Sequence, residues 1–60
     1  MSTTRMVEMI VYTMNYDDIY YRLLILENLQ TSSIDAPYKA ILNLNIECYR
    51  KALYISLEYI

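Results

Sequence analysis

The stretch Thr31-Ser32-Ser33-Ile34-Asp35-Ala36-Pro37 divides the chain in two. A run of small polar residues, then Asp, then Pro marks a loop followed by a helix start. Pro37 suits a first helical turn, where its missing N–H removes no helical bond, and it biases Ala36 toward extended geometry. Asp35 is placed to accept from the first free amides and to favour the positive end of the helix dipole. The expected loop covers 31–36.

Nothing breaks a helix from Pro37 to about Glu58. At 100° per residue, Lys39, Asn43, Glu47, Arg50, Lys51 and Glu58 fall on one narrow face, joined by the amphipathic Tyr54. The remainder forms an apolar arc of roughly 200°, containing Tyr38, Ile41, Leu42, Ile46, Cys48, Tyr49, Leu53, Leu57 and Ile60. A helix lying on a single core needs a stripe only a little over about 100° wide. The wider arc asks for two or more neighbours. Its centre line carries Asn45, Ala52 and Ser56, with Cys48 beside them. Small residues admit a close helix, and a lone Asn in an apolar seam fixes register and oligomer order at some cost in stability.

Upstream, Asn15-Tyr16-Asp17-Asp18 reads as a helix start, with an N-cap and acids in the first turn. Beyond it, Ile19, Leu23 and Leu26 mark one face, widened by Tyr20 and Leu24. Tyr21, Ile25 and Leu29 lie on the other side, so the segment is apolar nearly all round. Residues 4–14 are ambiguous. Val7, Ile10, Val11, Tyr12 and Thr13 favour strand, yet neither alternating face is polar. As a helix, Met6, Ile10 and Met14 form a stripe with Arg5, Glu8 and Tyr12 opposite. The second helix is about 33 Å long. A first helix over 4–30, with Asn15 as the place for a kink, would run beside its whole length. A strand over Arg5 to Thr13 would instead give a ribbon-helix-helix DNA-binding repressor. That fold reads bases through outward strand side chains. Thr4, Met6, Glu8 and Ile10, or Arg5, Val7 and Met9, suit that task poorly, and Glu8 would repel phosphate.

Composition narrows the chemistry. Sixty residues make one domain that buries only about 60% of its unfolded surface, so a solitary monomer is marginal. One cysteine excludes an internal disulfide, and the absence of histidine removes the commonest metal ligand and general base. Glycine is also absent, where average usage would supply about four. That disfavours tight hairpins and phosphate-cradling loops and suits helices. With five basic residues against seven acidic ones there is no basic block for nucleic acid or an acidic membrane. No apolar run spans a bilayer and the first residues do not open a secretory signal, so the expected compartment is the cytoplasm with Cys48 reduced.

The residues that could carry chemistry have simpler explanations. Asp17 and Asp18 are adjacent and point about 100° apart, which suits capping, with Arg22 four residues after Asp18. Glu47 has Arg50 and Lys51 one turn on, a solvated salt-bridge face. Glu27 sits among apolar residues and, if buried, needs a Lys or Arg from another helix. Cys48 has apolar helical neighbours in Ile41, Leu44 and Ile55, as an inert packed thiol would. The eight tyrosines suit a core or an interface, because base stacking needs a basic groove beside it.

The sequence therefore predicts an all-α antiparallel helical hairpin, two long helices pairing with a second copy into a four-helix bundle. It resembles in outline the small plasmid copy-number hairpins and the small hairpin chaperones of secretion systems, in size and element order only. No catalytic, cofactor or metal residues are expected. The expected function is a structural adaptor or regulator that packs helices against itself, as a homodimer or higher, or against a larger protein partner. Nucleic acid, membrane and small-molecule substrates are not expected. The anchors are Leu23, Leu26, Leu42, Tyr49 and Leu53, with Asn45, Ala52 and Ser56 along the close-packed seam. Asn45→Leu should raise the melting temperature while broadening the distribution of oligomers. Thermal denaturation and solution mass check both parts, and strong destabilisation would remove Asn45 from any helix seam.

Overall fold

The computed structural model describes residues 3–58; Ile60 of the apolar arc lies outside them. It is all-helical, with α1 (Thr3–Thr13), α2 (Tyr16–Ser32) and α3 (Ala36–Glu58). Residues 33–35 join α2 to α3, which pack as an antiparallel pair. The molecule is 36 Å in its longest dimension, close to the length of α3 at about 1.5 Å per residue.

The helix expected over 4–30 is divided at Met14 and Asn15. Asn15 is extended, at φ −84° and ψ 172°, and its Oδ1 accepts from the Asp18 amide at 3.0 Å. Its own carbonyl accepts from Ile19 N at 3.0 Å, the first backbone bond of α2. The break is thus a formed N-cap with Asp17 and Asp18 in the first turn, beyond a kink. α1 then turns back and lies against the C-terminal half of α3. Thr4 and Val7 share a cleft wall with Lys51 and Ile55, and Val11 and Met14 share one with Ile55 and Ser56. α1 packs on α3 and scarcely touches α2. The reason is length. At about 1.5 Å per residue a straight helix through Asn15 would overhang the end of α3, leaving Val7 beyond it and Ile10 only at its last turn. Folded back, both are buried. Since residues 3–13 are helical, the strand that a ribbon-helix-helix protein requires is missing.

The lack of glycine shapes the helix ends. No described residue has a positive φ, so no left-handed cap is present among them. Side-chain hydroxyls instead reinforce the last turns, as second donors to carbonyls already in the helical ladder. Thr13 Oγ1 donates to the Met9 carbonyl at 2.7 Å, Thr31 Oγ1 to Glu27 at 3.0 Å, and Ser32 Oγ to Asn28 at 3.0 Å. These bonds carry α2 to Ser32, beyond the loop boundary expected at Thr31. At the start of α3, Asp35 contributes its backbone, whose carbonyl accepts from Lys39 N at 2.9 Å. Its side chain makes no cap among the described hydrogen bonds.

Asn15→Ala should lower stability by about 1 kcal/mol, and Asn15→Asp should restore most of it. Urea denaturation followed by circular dichroism checks both; equal stability of all three proteins would show that the cap does not hold the break.

Candidate functional site

Among the described residues there is no metal-binding cluster of charged groups to build on, and the candidate site is the apolar surface that the three helices leave between and around them. Its floor is the core. Val7, Ile10, Ile19, Cys48 and Ala52 form one buried cluster, with Met6, Val11, Met14, Tyr49 and Leu53 packed around it. Ile19 and Ala52 are both 0% exposed. Leu23 on α2 and Leu42 and Ile46 on α3 are buried nearer the loop.

The structure sorts the eight interface residues named from the sequence into two groups. Leu23, Leu42 and Ala52 are buried within the chain. Leu26, Asn45, Tyr49, Leu53 and Ser56 are half-buried. The small-residue track of Cys48, Ala52 and Ser56 does admit a close helix, and that helix is the chain's own α1. Val7 is a core residue that the Met6, Ile10, Met14 stripe omitted. Its β-branched side chain and its i, i+3 spacing to Ile10 were the available signal.

Asn45 Nδ2 donates to the Ile41 carbonyl one turn back, at 2.8 Å. Cys48 is a free, buried thiol. Glu27 is half-buried, and its Oε1 lies 3.5 Å from Nη2 of Arg50 on α3. The acid among apolar neighbours therefore has its base from another helix. Arg50 turns across to α2 and does not pair with Glu47, and Asp18–Arg22 is not an ion pair among the described residues. Tyr16 and Tyr20 stack at 6.4 Å between ring centroids with 17° between planes.

Two surfaces could receive something. One is a cleft of about 460 Å³ at the α1–α2 junction, walled by Val11, Tyr12, Met14, Tyr16 and Ile55. Its polar groups are Glu8, Ser56 and Asn15, whose Oδ1 is already committed to the cap. They do not converge as ligand-fixing groups do. The other is a face of the α2–α3 pair at the loop end. At 100° per residue, Ile25 and Leu29 of α2 and Ile41 and Leu44 of α3 share the side on which α1 lies, and all four are exposed. The described part of α1, Thr3–Thr13, does not cover them. Among the described residues there is no metal-binding cluster, and no helix is long and apolar enough to cross a membrane.

No known protein family, curated protein or solved structure matches the chain.

Ala52→Leu should lower stability by about 1–3 kcal/mol, because the added side chain must displace α1 or Ile19. Arg50→Ala should change it by no more than about 1 kcal/mol, since both partners of the ion pair are substantially exposed. Urea titration of the two variants checks the order. A milder effect at Ala52 than at Arg50 would mean that the three helices do not converge there.

Proposed function

We propose that this chain is a non-enzymatic protein–protein interaction module, a structural adaptor or regulator that works by packing helices against another polypeptide. Its partners are further copies of itself, as a homodimer or higher oligomer, or a larger helical protein. In the dimer, two α2–α3 pairs meet at their loop ends as a four-helix bundle, with each α1 on the same side of its own pair as the partner and further along α3.

One observation carries this reading: the contiguous apolar face of Ile25, Leu29, Ile41 and Leu44, exposed at the end of the molecule that α1 does not reach. Apolar side chains scattered singly on a surface mean little, whereas a contiguous patch between two helices marks an interaction site. Physical need points the same way. A chain of 60 residues without a disulfide has few means of stabilising a small core except a partner.

Size exclusion joined to light scattering tests the reading. The expected mass is a multiple of 7.2 kDa at micromolar concentration, and Leu44→Glu should shift it to 7.2 kDa with helicity retained. A well-folded 7.2 kDa monomer of the unaltered chain, with no tendency to associate, would overturn it.

A further inference from the structure

We infer that α1 is an exchangeable element: released at Asn15, it takes the same seat on α3 of a second copy of this chain, and the Asn15 cap is the latch that holds it on its own α3. The exchange concerns the C-terminal half of α3 and is independent of the loop-end face.

The break between α1 and α2 is narrow. The helical ladder runs up to the bond from Met14 N to the Ile10 carbonyl and resumes with the bond from Ile19 N to the Asn15 carbonyl, both 3.0 Å and both reaching four residues back. Only the amides of residues 15–18 fall outside it. Among the described hydrogen bonds Asp18 alone of these four has a partner, Oδ1 of Asn15. At Asn15 the φ of −84° is already helical, and only the ψ of 172° lies outside the helical range. No glycine or proline occurs between residues 3 and 32. The backbone therefore admits a second form. In it Asn15 turns helical, the four amides bond the carbonyls of residues 11–14, and Thr3–Ser32 becomes one helix about 45 Å long.

In that open form Val7 and Ile10 leave the cluster that holds Cys48 and Ala52. A second open copy restores it. Two such chains lie antiparallel with their Asn15 hinges side by side, and each α1 runs on from its own α2 into the seat the other has vacated. The fit needs no new complementarity, because helix and seat are those already joined within one chain. Little else has to move, since α1 packs on α3 and scarcely touches α2. The connection is only Met14 and Asn15, and hinges this short favour exchange between copies. Closed and exchanged forms thus share the contacts of α1 and differ at the hinge, where a side-chain cap competes with four helical hydrogen bonds.

The test uses the Leu44→Glu chain, in which a charge blocks the loop-end face. Leu44 is exposed and outside the cluster that holds α1. In that background Asn15→Ala should form a species of twice 7.2 kDa at high micromolar concentration that returns to 7.2 kDa on dilution. Asn15→Gly also lacks the cap side chain, but glycine caps nearly as well and disfavours a continuous helix. Its dimer dissociation constant should be roughly tenfold higher or more, because each dimer contains two hinges. Thr4 and Lys51 line one cleft between α1 and α3. With both replaced by cysteine and Cys48 buried, a bismaleimide across that cleft should join them within one chain when Asn15 is kept. In the Asn15→Ala protein it should join two chains. Cross-links only within chains in that protein, or equal dissociation constants for Asn15→Ala and Asn15→Gly, would overturn the exchange. So would a loss of helicity in Asn15→Ala that rising concentration does not restore, because the exchanged dimer keeps the contacts of α1. The loop-end reading is judged separately, by the mass of the chain with Leu44 in place.

Discussion

Three helices converge where Ile19 of α2 and Ala52 of α3, each with no exposure, meet under Val7 and Ile10 of α1. That convergence requires small side chains on α3. Ala52 extends no further than its Cβ, and Cys48, one turn earlier, is nearly as compact. Helix axes normally pack about 8–10 Å apart, at a distance set by the side chains between them. With small residues on one helix, two others can reach it from different sides. Enlarging that position removes the seat of α1, which has little else to hold it, since its packing is against α3 and scarcely against α2. The C-terminal half of α3 would then be as bare as its other half.

The rotation of each apolar pattern was legible, and the identity of the helix that fills each face was not. The helix of α3 and the N-cap at Asn15 follow from local chemistry, and the structure has them; the loop before α3 is narrower than the expected 31–36, at residues 33–35, with Ala36 already helical and Asp35 capping through its backbone. Glu27 was expected to need a base from another helix only if buried; it is half-buried, and Arg50 of α3 lies 3.5 Å from it. Whether the chain runs straight through Asn15 is a different kind of question. A formed cap contributes only about 1 kcal/mol. The balance is tipped by burying Val7 and Ile10 on a helix some forty residues away, which no local pattern encodes. The small-residue track on α3 has the same blindness. Cys48, Ala52 and Ser56 announce that a helix comes close without saying whose, and the chain's own first helix reaches them before any partner can.

The absence of glycine is met consistently along the chain. Without a residue suited to positive φ, the last turns carry hydroxyls at Thr13, Thr31 and Ser32 that bond back to the carbonyls four residues earlier. Each of those carbonyls also accepts the helical amide of the same residue, so the hydroxyl is a second donor that reinforces the last turn. These bonds also explain why the Thr31-Ser32 pair reads as loop by composition while folding as the last turn of α2.

Exposure alone does not make a surface functional. Ile34 at the loop tip is 99% exposed, yet it lines neither of the two surfaces described above. Isolated residues of this kind are ordinary. The face around Ile41 differs because its residues come from two packed helices and lie beyond the described extent of α1. The same fold-back that buries Val7 and Ile10 shortens the reach of the first half of the chain. α3 then has more apolar circumference at the loop end than α2 can cover. Opening and closing are thus two effects of one cause: by capping at Asn15 the chain completes one half of its core and leaves the other half to be completed by something else.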